Sequence, residues 1–183
     1  AGITVDGSYY ALSPHPSRKV HLHGGKGGFH TKLWNAEEVS PGKDSAGVRL
    51  TMVSPDGDQG YPGNLSVTVS ISLSEDNRLE FDYEAETDKK TVLNLTNHSY
   101  WNLAGQGNGN VLGHELQLNS TKFTMINTEL IPTGAIASVI DMPLDFMATK
   151  KIGSRIRQTG NGFDHNYVLT GKITEFEVGG PKQ

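Results

Sequence analysis

The sequence has no cysteine among its 183 residues, which excludes disulfides and thiolate metal sites. It also lacks an excess of either charge. The 16 Lys and Arg residues face 20 Asp and Glu residues for a net charge of −4, so there is no electrostatic case for binding nucleic acid. No apolar run is long enough to span a bilayer as a helix, and no targeting segment is recognisable. We therefore expect neither nucleic acid nor a membrane as a partner, and the compartment stays open.

Turn-forming and β-forming residues are abundant instead. The chain has 22 Gly and a hydrophobic fraction of 35%, and Ser, Thr, Asn and Val are frequent. This composition favours a turn-rich β protein over a helical one. The length fits one domain with a sizeable core. We expect a single β-sandwich domain over residues 1–170 and a polar tail over residues 171–183.

Alternation of polar and apolar residues predicts short strands at regular spacing. The clearest runs are residues 47–54, 65–73, 78–87 and 122–126, and weaker runs are residues 20–22, 33–39, 115–119 and 163–169. Asp6-Gly7 predicts the tight turn of a hairpin over residues 3–12, because this dipeptide suits two-residue hairpin loops. Residues 143–157 are the best helical candidate, with Asp145 as the N-cap. Short strands separated by turns are typical of a β-sandwich or a larger antiparallel assembly.

Strand patterning and reactive side chains coincide in one stretch, TVLNLTNHSYWNL at residues 91–103. In an extended strand, alternate side chains point to opposite faces. One face carries Leu93, Leu95, Asn97, Ser99, Trp101 and Leu103, and the other carries Val92, Asn94, Thr96, His98, Tyr100 and Asn102. Uncharged hydrogen-bonding groups beside an aromatic suit a ligand rich in hydroxyls, such as a sugar. The alternative is an ordinary polar strand face, and we expect Trp101, opposite His98, to pack in the core.

Two histidines precede a glycine-rich turn near the start of the chain. His21 and His23 would share one face of the predicted strand, and this H-x-H spacing suggests a metal site. Gly27 and Gly28 stand where a glutamate ligand would be needed, so a metal is not favoured. A lone histidine in a β protein is more often structural than catalytic.

The last predicted strand, at residues 163–169, places an aspartate beside a histidine. Asp164 and Asn166 share one face, whereas Phe163, His165, Tyr167 and Leu169 share the other. Asp164 is therefore the candidate to face a ligand. We expect His165 to be a packed or hydrogen-bonded core residue.

Five separated motifs together resemble the aldose 1-epimerase (galactose mutarotase) family in their order and spacing. They are LHGGKGGF (22–29), SPDGDQGYPGNL (54–65), NLTNHSYWNL (94–103), IPTG (131–134) and GFDHNYVL (162–169). The family fold is all-β, an antiparallel β-supersandwich whose sugar site lies on a concave sheet face. The resemblance thus implies the same fold class here, and it agrees with the polar strand face derived above.

The resemblance implies interconversion of the α and β anomers of a free hexose, galactose or glucose, by acid–base ring opening without a cofactor. His98 matches the general acid at the ring oxygen, and His23 matches the second histidine, which binds and polarises the sugar. Asp164 matches the carboxylate that holds sugar hydroxyls. Tyr100 and Asn102 would border the pocket, which follows from strand geometry alone. The expected partner is a small monosaccharide.

The sequence also departs from the family pattern. The family's general base is a Glu beyond the last motif, and the surroundings of Glu175 and Glu177 do not match it. A site arginine that normally precedes the first residue here is absent as well. Because family members are longer, we expect a fold incomplete at both ends. The chain would then be a fragment, a partly read sequence, or a short relative in which a homodimer covers the exposed sheet. The alternative function is a non-catalytic, lectin-like carbohydrate-binding protein on the same fold.

Overall fold

A computed structural model describes residues 1–14, 20–160 and 162–170, so the predicted polar tail lies outside the described residues. The chain divides into two compact units, Ala1–His98 and Ser99–Gln183, and each is described by itself. Every strand pair in the described residues is antiparallel, and the helices there are short 3-10 turns. The predicted all-β class is confirmed. None of these helices is long and apolar enough to cross a membrane.

The first unit begins with the predicted hairpin. Strand β1 (Gly2–Val5) pairs with β2 (Ser8–Ala11). Asp6 and Gly7 form the turn with φ values of 48° and 80°. These left-handed values match the twist of the flanking strands, which is why Asp-Gly is favoured there. The hairpin prediction is confirmed.

A four-stranded antiparallel sheet follows, and its strands are neighbours in chain order. They are β3 (Asn35–Val39), β4 (Ser45–Ser54), β5 (Leu65–Ser74) and β6 (Leu79–Thr87). The strands predicted from alternation over residues 47–54, 65–73 and 78–87 are confirmed within two residues at each end. Met52, Leu65 and Val67 are buried together on this sheet, and Trp34 and Leu95 pack against them. The alternation thus produces one apolar face that carries the core of the first unit.

The second unit is built from shorter strands. They are β7 (Glu115–Leu116), β8 (Lys122–Ile126), β9 (Pro132–Ser138), β10 (Lys150–Lys151) and β11 (Tyr167–Val168). β8 lies between β11 and β9 in one sheet, and β7 pairs with β10 in another. Phe123, Val139 and Leu144 form the buried cluster, with Phe163 and Tyr167 packed against it. The first residues of the last motif therefore contribute to the core of this unit.

The helix predicted over residues 143–157 is wrong. Residues 150–151 form β10 instead, and 3-10 turns span Ile152–Ser154 and Ile156–Thr159. The backbone of Lys150 pairs with Leu116 in an antiparallel ladder, which removes it from any helix. Asp145 Oδ1 accepts a hydrogen bond from the backbone N of Met147 at 2.9 Å. The aspartate thus stabilises a local turn rather than capping a helix.

The strand predicted over residues 91–103 is also wrong, since no strand of the described chain includes any of these residues. Alternating side chains stabilise a strand only when a neighbour supplies partners for its backbone N–H and C=O groups. Strand β6, which precedes the segment, lies at the edge of its sheet and pairs with β5 alone. Trp101, predicted to pack in the core, is 63% exposed, so that prediction is wrong as well.

Candidate functional site

The candidate site is the pair of imidazoles of His23 and His98. Their ring centroids lie 5.3 Å apart, and their planes meet at 76°, an edge-to-face arrangement. Both residues are exposed, and both belong to the first unit. The fold thus brings two histidines from separate motifs into one contact, in a position that a ligand can reach from solvent.

His23 stands at the start of a tight turn over residues 23–28, which we call the glycine loop. It has a φ of 53°, in the left-handed region that side chains other than glycine seldom adopt. Gly25 continues in that region with a φ of 77° and is buried, so a glycine is required there. The predicted strand over residues 20–22 does not form, because this turn bends the chain away from the extended path a strand needs.

His21 has a packing role beside the glycine loop. Its Nδ1 lies 2.5 Å from the carbonyl oxygen of Ser13, and its ring meets the edge of Tyr61 at a centroid distance of 5.4 Å. Burial raises the pKa of the Tyr61 phenol. The predicted sharing of one strand face by His21 and His23 is wrong. No group of three or more His, Asp or Glu side chains in the described residues is arranged to hold a metal.

The loop over residues 54–64 supports the glycine loop from outside it. Gln59 Oε1 accepts a hydrogen bond from the backbone N of Gly27 at 3.1 Å. The carbonyl oxygen of Gln59 accepts another from the backbone N of Ser13 at 2.9 Å. Gln59 itself has a left-handed φ of 52°. One residue of the second motif therefore binds two other segments of the chain.

Asp58, next to Gln59, holds the same loop through an ion pair. Its carboxylate lies 2.8 Å from Lys32 Nζ and accepts a hydrogen bond from Ser54 Oγ at 2.9 Å. The Asp58 side chain is only 10% exposed. Burial on its own would raise its pKa, but the bonds from Lys32, Ser54 and Gln59 together lower the pKa below its ordinary value. Asp58 therefore stays ionised although little of its side chain is exposed to solvent.

Asp56 is a second charged group that holds the loop over residues 54–64. Lys89 Nζ lies 2.5 Å from Asp56 Oδ2, and the hydrogen bond from Lys89 lowers the pKa of Asp56. Gly63 N donates to Asp56 Oδ1 at 2.6 Å. The Asn64 side chain and backbone N both donate to Asp88, which lowers the pKa of that carboxyl. Both ends of the loop are thus held to neighbouring segments.

The second unit contains the remaining predicted site residues. Asp164 and Asn166 are exposed, whereas Phe163, His165 and Tyr167 are partly buried. The predicted faces are therefore confirmed over residues 163–167, but Leu169, predicted to share the packed face, is 41% exposed. The strand itself, β11, is limited to Tyr167–Val168, so the alternation does not continue past it. His165 packs edge-on against Phe123 with ring centroids 5.7 Å apart, as expected for a core histidine.

Tyr100 and Asn102, predicted to border a pocket, differ in their surroundings. Tyr100 is 90% exposed. Asn102 is partly buried, and its side chain closes the following turn: Oδ1 accepts from Ala104 N at 3.1 Å, and Nδ2 donates to the carbonyl oxygen of Asn108 at 3.3 Å. Asn102 thus orders the glycine–asparagine loop of its own unit.

Three residues that hold the loop over residues 54–64 escaped sequence reasoning: Lys32, Asp58 and Gln59. Gln59 carries no charge and no catalytic signature. The one signal present was the position of Asp58 and Gln59 in a family motif dense in turn residues. That signal indicates a shaped loop and does not say what the loop contacts.

Comparison with known proteins places this geometry in context. The sequence profile described as aldose 1-epimerase matches residues 1–182. Galactose mutarotase of Bos taurus is 41% identical over 169 residues, which cover 92% of this chain and 47% of that protein. Aldose 1-epimerase of Escherichia coli (strain K12) is 35% identical over 92% of this chain and 49% of its own length. The chain spans about half the length of the curated relatives that it matches.

A solved structure shows the same likeness in three dimensions. The crystal structure of galactose 1-epimerase from Lactobacillus acidophilus NCFM superposes with a TM-score of 0.80 at 31% sequence identity. The match covers 93% of this chain and 51% of that one. A homologue from C. elegans matches with a TM-score of 0.77 at 28% identity.

Proposed function

Because the chain belongs to the aldose 1-epimerase family, we propose that it acts on the anomeric carbon of a free hexose and interconverts its α and β forms. The substrate class is a monosaccharide such as galactose or glucose, the sugars of the relatives it resembles. The observation that carries this proposal is the contact between His23 and His98, with ring centroids 5.3 Å apart on an exposed surface.

The proposed chemistry is general acid–base catalysis. A base removes the proton of the C1 hydroxyl while an acid protonates the ring oxygen, and the bond between C1 and the ring oxygen breaks. The open aldehyde rotates about its C1–C2 bond. Reversal of both proton transfers then closes the ring on the other face. No atom is gained or lost overall, so the reaction needs no further reactant.

Each predicted residue has a role in this proposal. His98 is the acid that delivers the proton to the ring oxygen, and His23 binds and polarises the sugar beside it. Asp164 holds sugar hydroxyls, and Tyr100 and Asn102 border the sugar. We assign the carboxylate base to no residue of this chain, and Glu175 and Glu177 lie outside the described residues. The His23–His98 contact supports the first two roles, and the role of Asp164 rests on the family resemblance. The roles of Tyr100 and Asn102 rest only on the predicted strand geometry, and no strand forms over these residues.

Polarimetry of freshly dissolved α-galactose or α-glucose with the purified chain tests the proposal. We expect the approach to anomeric equilibrium to be faster than in buffer. His98→Ala should reduce the catalysed rate by roughly 10²–10⁴-fold, which is the usual contribution of a general acid. His30→Ala is the matched control, because His30 is an exposed histidine beside the glycine loop and outside the pair. We expect it to retain the rate of the unaltered chain.

The outcomes separate the candidate functions. Acceleration that survives His98→Ala would overturn the role of His98. Sugar binding by calorimetry without acceleration would favour the lectin-like alternative. That alternative competes because no residue of this chain is assigned as the base. A chain that neither binds sugar nor accelerates anomer exchange would contradict both functions.

A further inference from the structure

We infer that Gln59 is a positioning residue for His23: its carboxamide fills the hollow of the glycine loop and fixes the backbone from which the imidazole projects. The role as a positioning residue for catalysis rests on the proposed function. The geometric part, that Gln59 sets the conformation of the glycine loop, stands on contacts alone and is tested separately below.

The first observation is the fit between the carboxamide and two glycines. A Cβ atom added to Gly25 would lie 2.8 Å from Gln59 Oε1, and one added to Gly27 would lie 2.6 Å from Gln59 Nε2. Real Cβ atoms are not found so close to a side-chain atom. The absent side chains at these two positions therefore make the space that Gln59 occupies.

The second observation is a hydrogen bond that connects the carboxamide to the loop backbone. Gly27 N donates to Gln59 Oε1 at 3.1 Å. The next residue, Gly28, is buried so tightly against the His23 carbonyl oxygen that a Cβ there would overlap it. The path from Gln59 to His23 thus runs through Gly27 and Gly28, by one hydrogen bond and one close backbone packing contact.

The third observation is that Gln59 is itself held firmly. Its carbonyl oxygen accepts from Ser13 N at 2.9 Å, and its neighbour Asp58 is bound by Lys32. Gly60 packs so closely on the Ala11 carbonyl that no side chain would fit there. Gln59 and His23 both have left-handed φ values, 52° and 53°. Strained backbone of this kind persists only where surrounding contacts enforce it, and the Gln59 carboxamide is one of those contacts.

A double-mutant cycle tests the geometric part. Gly27 does not have a left-handed backbone, so Gly27→Ala harms the loop only by clashing with Gln59. We expect Gly27→Ala to destabilise the chain modestly, because the Gln59 carboxamide can move aside only by giving up its hydrogen bond with Gly27 N. Gln59→Ala should relieve that clash, so that the double variant is more stable than the sum of the single changes predicts. Gly113→Ala is the control, since no atom lies within 4 Å of a Cβ there. Should Gln59→Ala fail to fold, Gln59→Asn replaces it, because asparagine is shorter by one methylene and tolerates a left-handed backbone.

The effect of Gln59 on His23 needs a measurement that a loss of stability alone would not change. We expect Gln59→Ala to change the NMR chemical shifts of the His23 ring and of the backbone amides of the glycine loop. The ring signals of His165, in the second unit, should stay unchanged. Where the chain catalyses anomer exchange, the same variant should lower the rate by up to about 100-fold, the size of effect expected when a reacting group is displaced by about 1 Å.

These results separate the inference from the proposed function. If the unaltered chain neither binds sugar nor accelerates exchange, the proposed function fails, while the cycle and the NMR signals of the His23 ring still decide the role of Gln59. Additive stabilities in the cycle, or His23 ring signals identical in Gln59→Ala, would overturn the inference even in an active protein.

Discussion

The glycine loop and the segment over residues 91–103 each carry one histidine of the pair, and they differ in how they are held. The glycine loop is bound from outside by Gln59, and its backbone lies so close to neighbouring atoms that a side chain at Gly25, Gly27 or Gly28 would clash. The segment over residues 91–103 lies outside every strand of the described chain. Leu95 packs against the sheet core, whereas Trp101 is 63% exposed.

The difference lies in the kind of contact that each region needs. The glycine loop is shaped by the conformational freedom of its own glycines and by the side chain of Gln59, which reaches it from 32 residues away. A strand is stabilised by the backbone groups of a partner strand, which can be far away in sequence or in another chain. One histidine therefore projects from a loop that has its supporting contact, and the other projects from a segment whose strand pattern has no partner strand in the described chain.

The largest change in the glycine loop is expected from Gly28→Ala. Gly28 has an ordinary extended backbone, with φ −60° and ψ 164°, so alanine is permitted by conformation alone. Its Cβ would nevertheless overlap the carbonyl oxygen of His23, a backbone atom that cannot turn away. We expect a loss of about 3 kcal/mol in the free energy of unfolding, at the upper end for overpacking, measured by urea denaturation. If the free energy of unfolding changes no more than in Gly113→Ala, the glycine loop can shift to accommodate the added methyl group at little cost.

A smaller change is expected from Asp58→Asn, which removes the charge that holds Lys32. The amide keeps the shape and loses a charge-assisted bond, so we expect a loss of about 2 kcal/mol near neutral pH. The pKa of Asp58 is lowered in the folded state. Its contribution is therefore present above the unfolded-state pKa of about 3.9 and is lost as pH falls through the folded pKa.

Unfolding followed from pH 7 down into the acid range checks the sign of this effect. Below about pH 5 the unaltered chain should lose stability more steeply than Asp58→Asn, so the two curves should converge. Parallel curves would mean that the ion pair with Lys32 adds nothing to the folded loop.

The smallest change is expected from Trp101→Ala, in the segment over residues 91–103. An exposed side chain away from caps and cores usually alters stability by no more than about 0.5 kcal/mol. Phe146→Ala in the same unit is the contrast, since Phe146 is 1% exposed and stacks edge-on against Phe163. That change should cost roughly 3–5 kcal/mol. A large and concentration-dependent loss in Trp101→Ala would show that another chain covers the segment in solution.

Sequence reasoning was accurate where local chemistry decides the outcome. The Asp6-Gly7 turn, the strands of the four-stranded sheet and the alternating burial over residues 163–167 were all predictable. It was wrong for the helix over residues 143–157 and for the strand over residues 91–103. In the first case a ladder between Lys150 and Leu116 overrode helix propensity, and in the second the pattern was present without a pairing partner in the described chain.

The amino-acid sequence alone determined the family, the all-β class and which histidines to examine, because these follow from motifs and from period-two alternation along the chain. Only the tertiary structure decided that His23 and His98 touch, that His21 packs against Tyr61, and that Gln59 fills the glycine loop. These contacts join residues more than 30 positions apart, or depend on left-handed backbone angles. Such arrangements arise from packing in three dimensions and leave no periodic signal in the sequence.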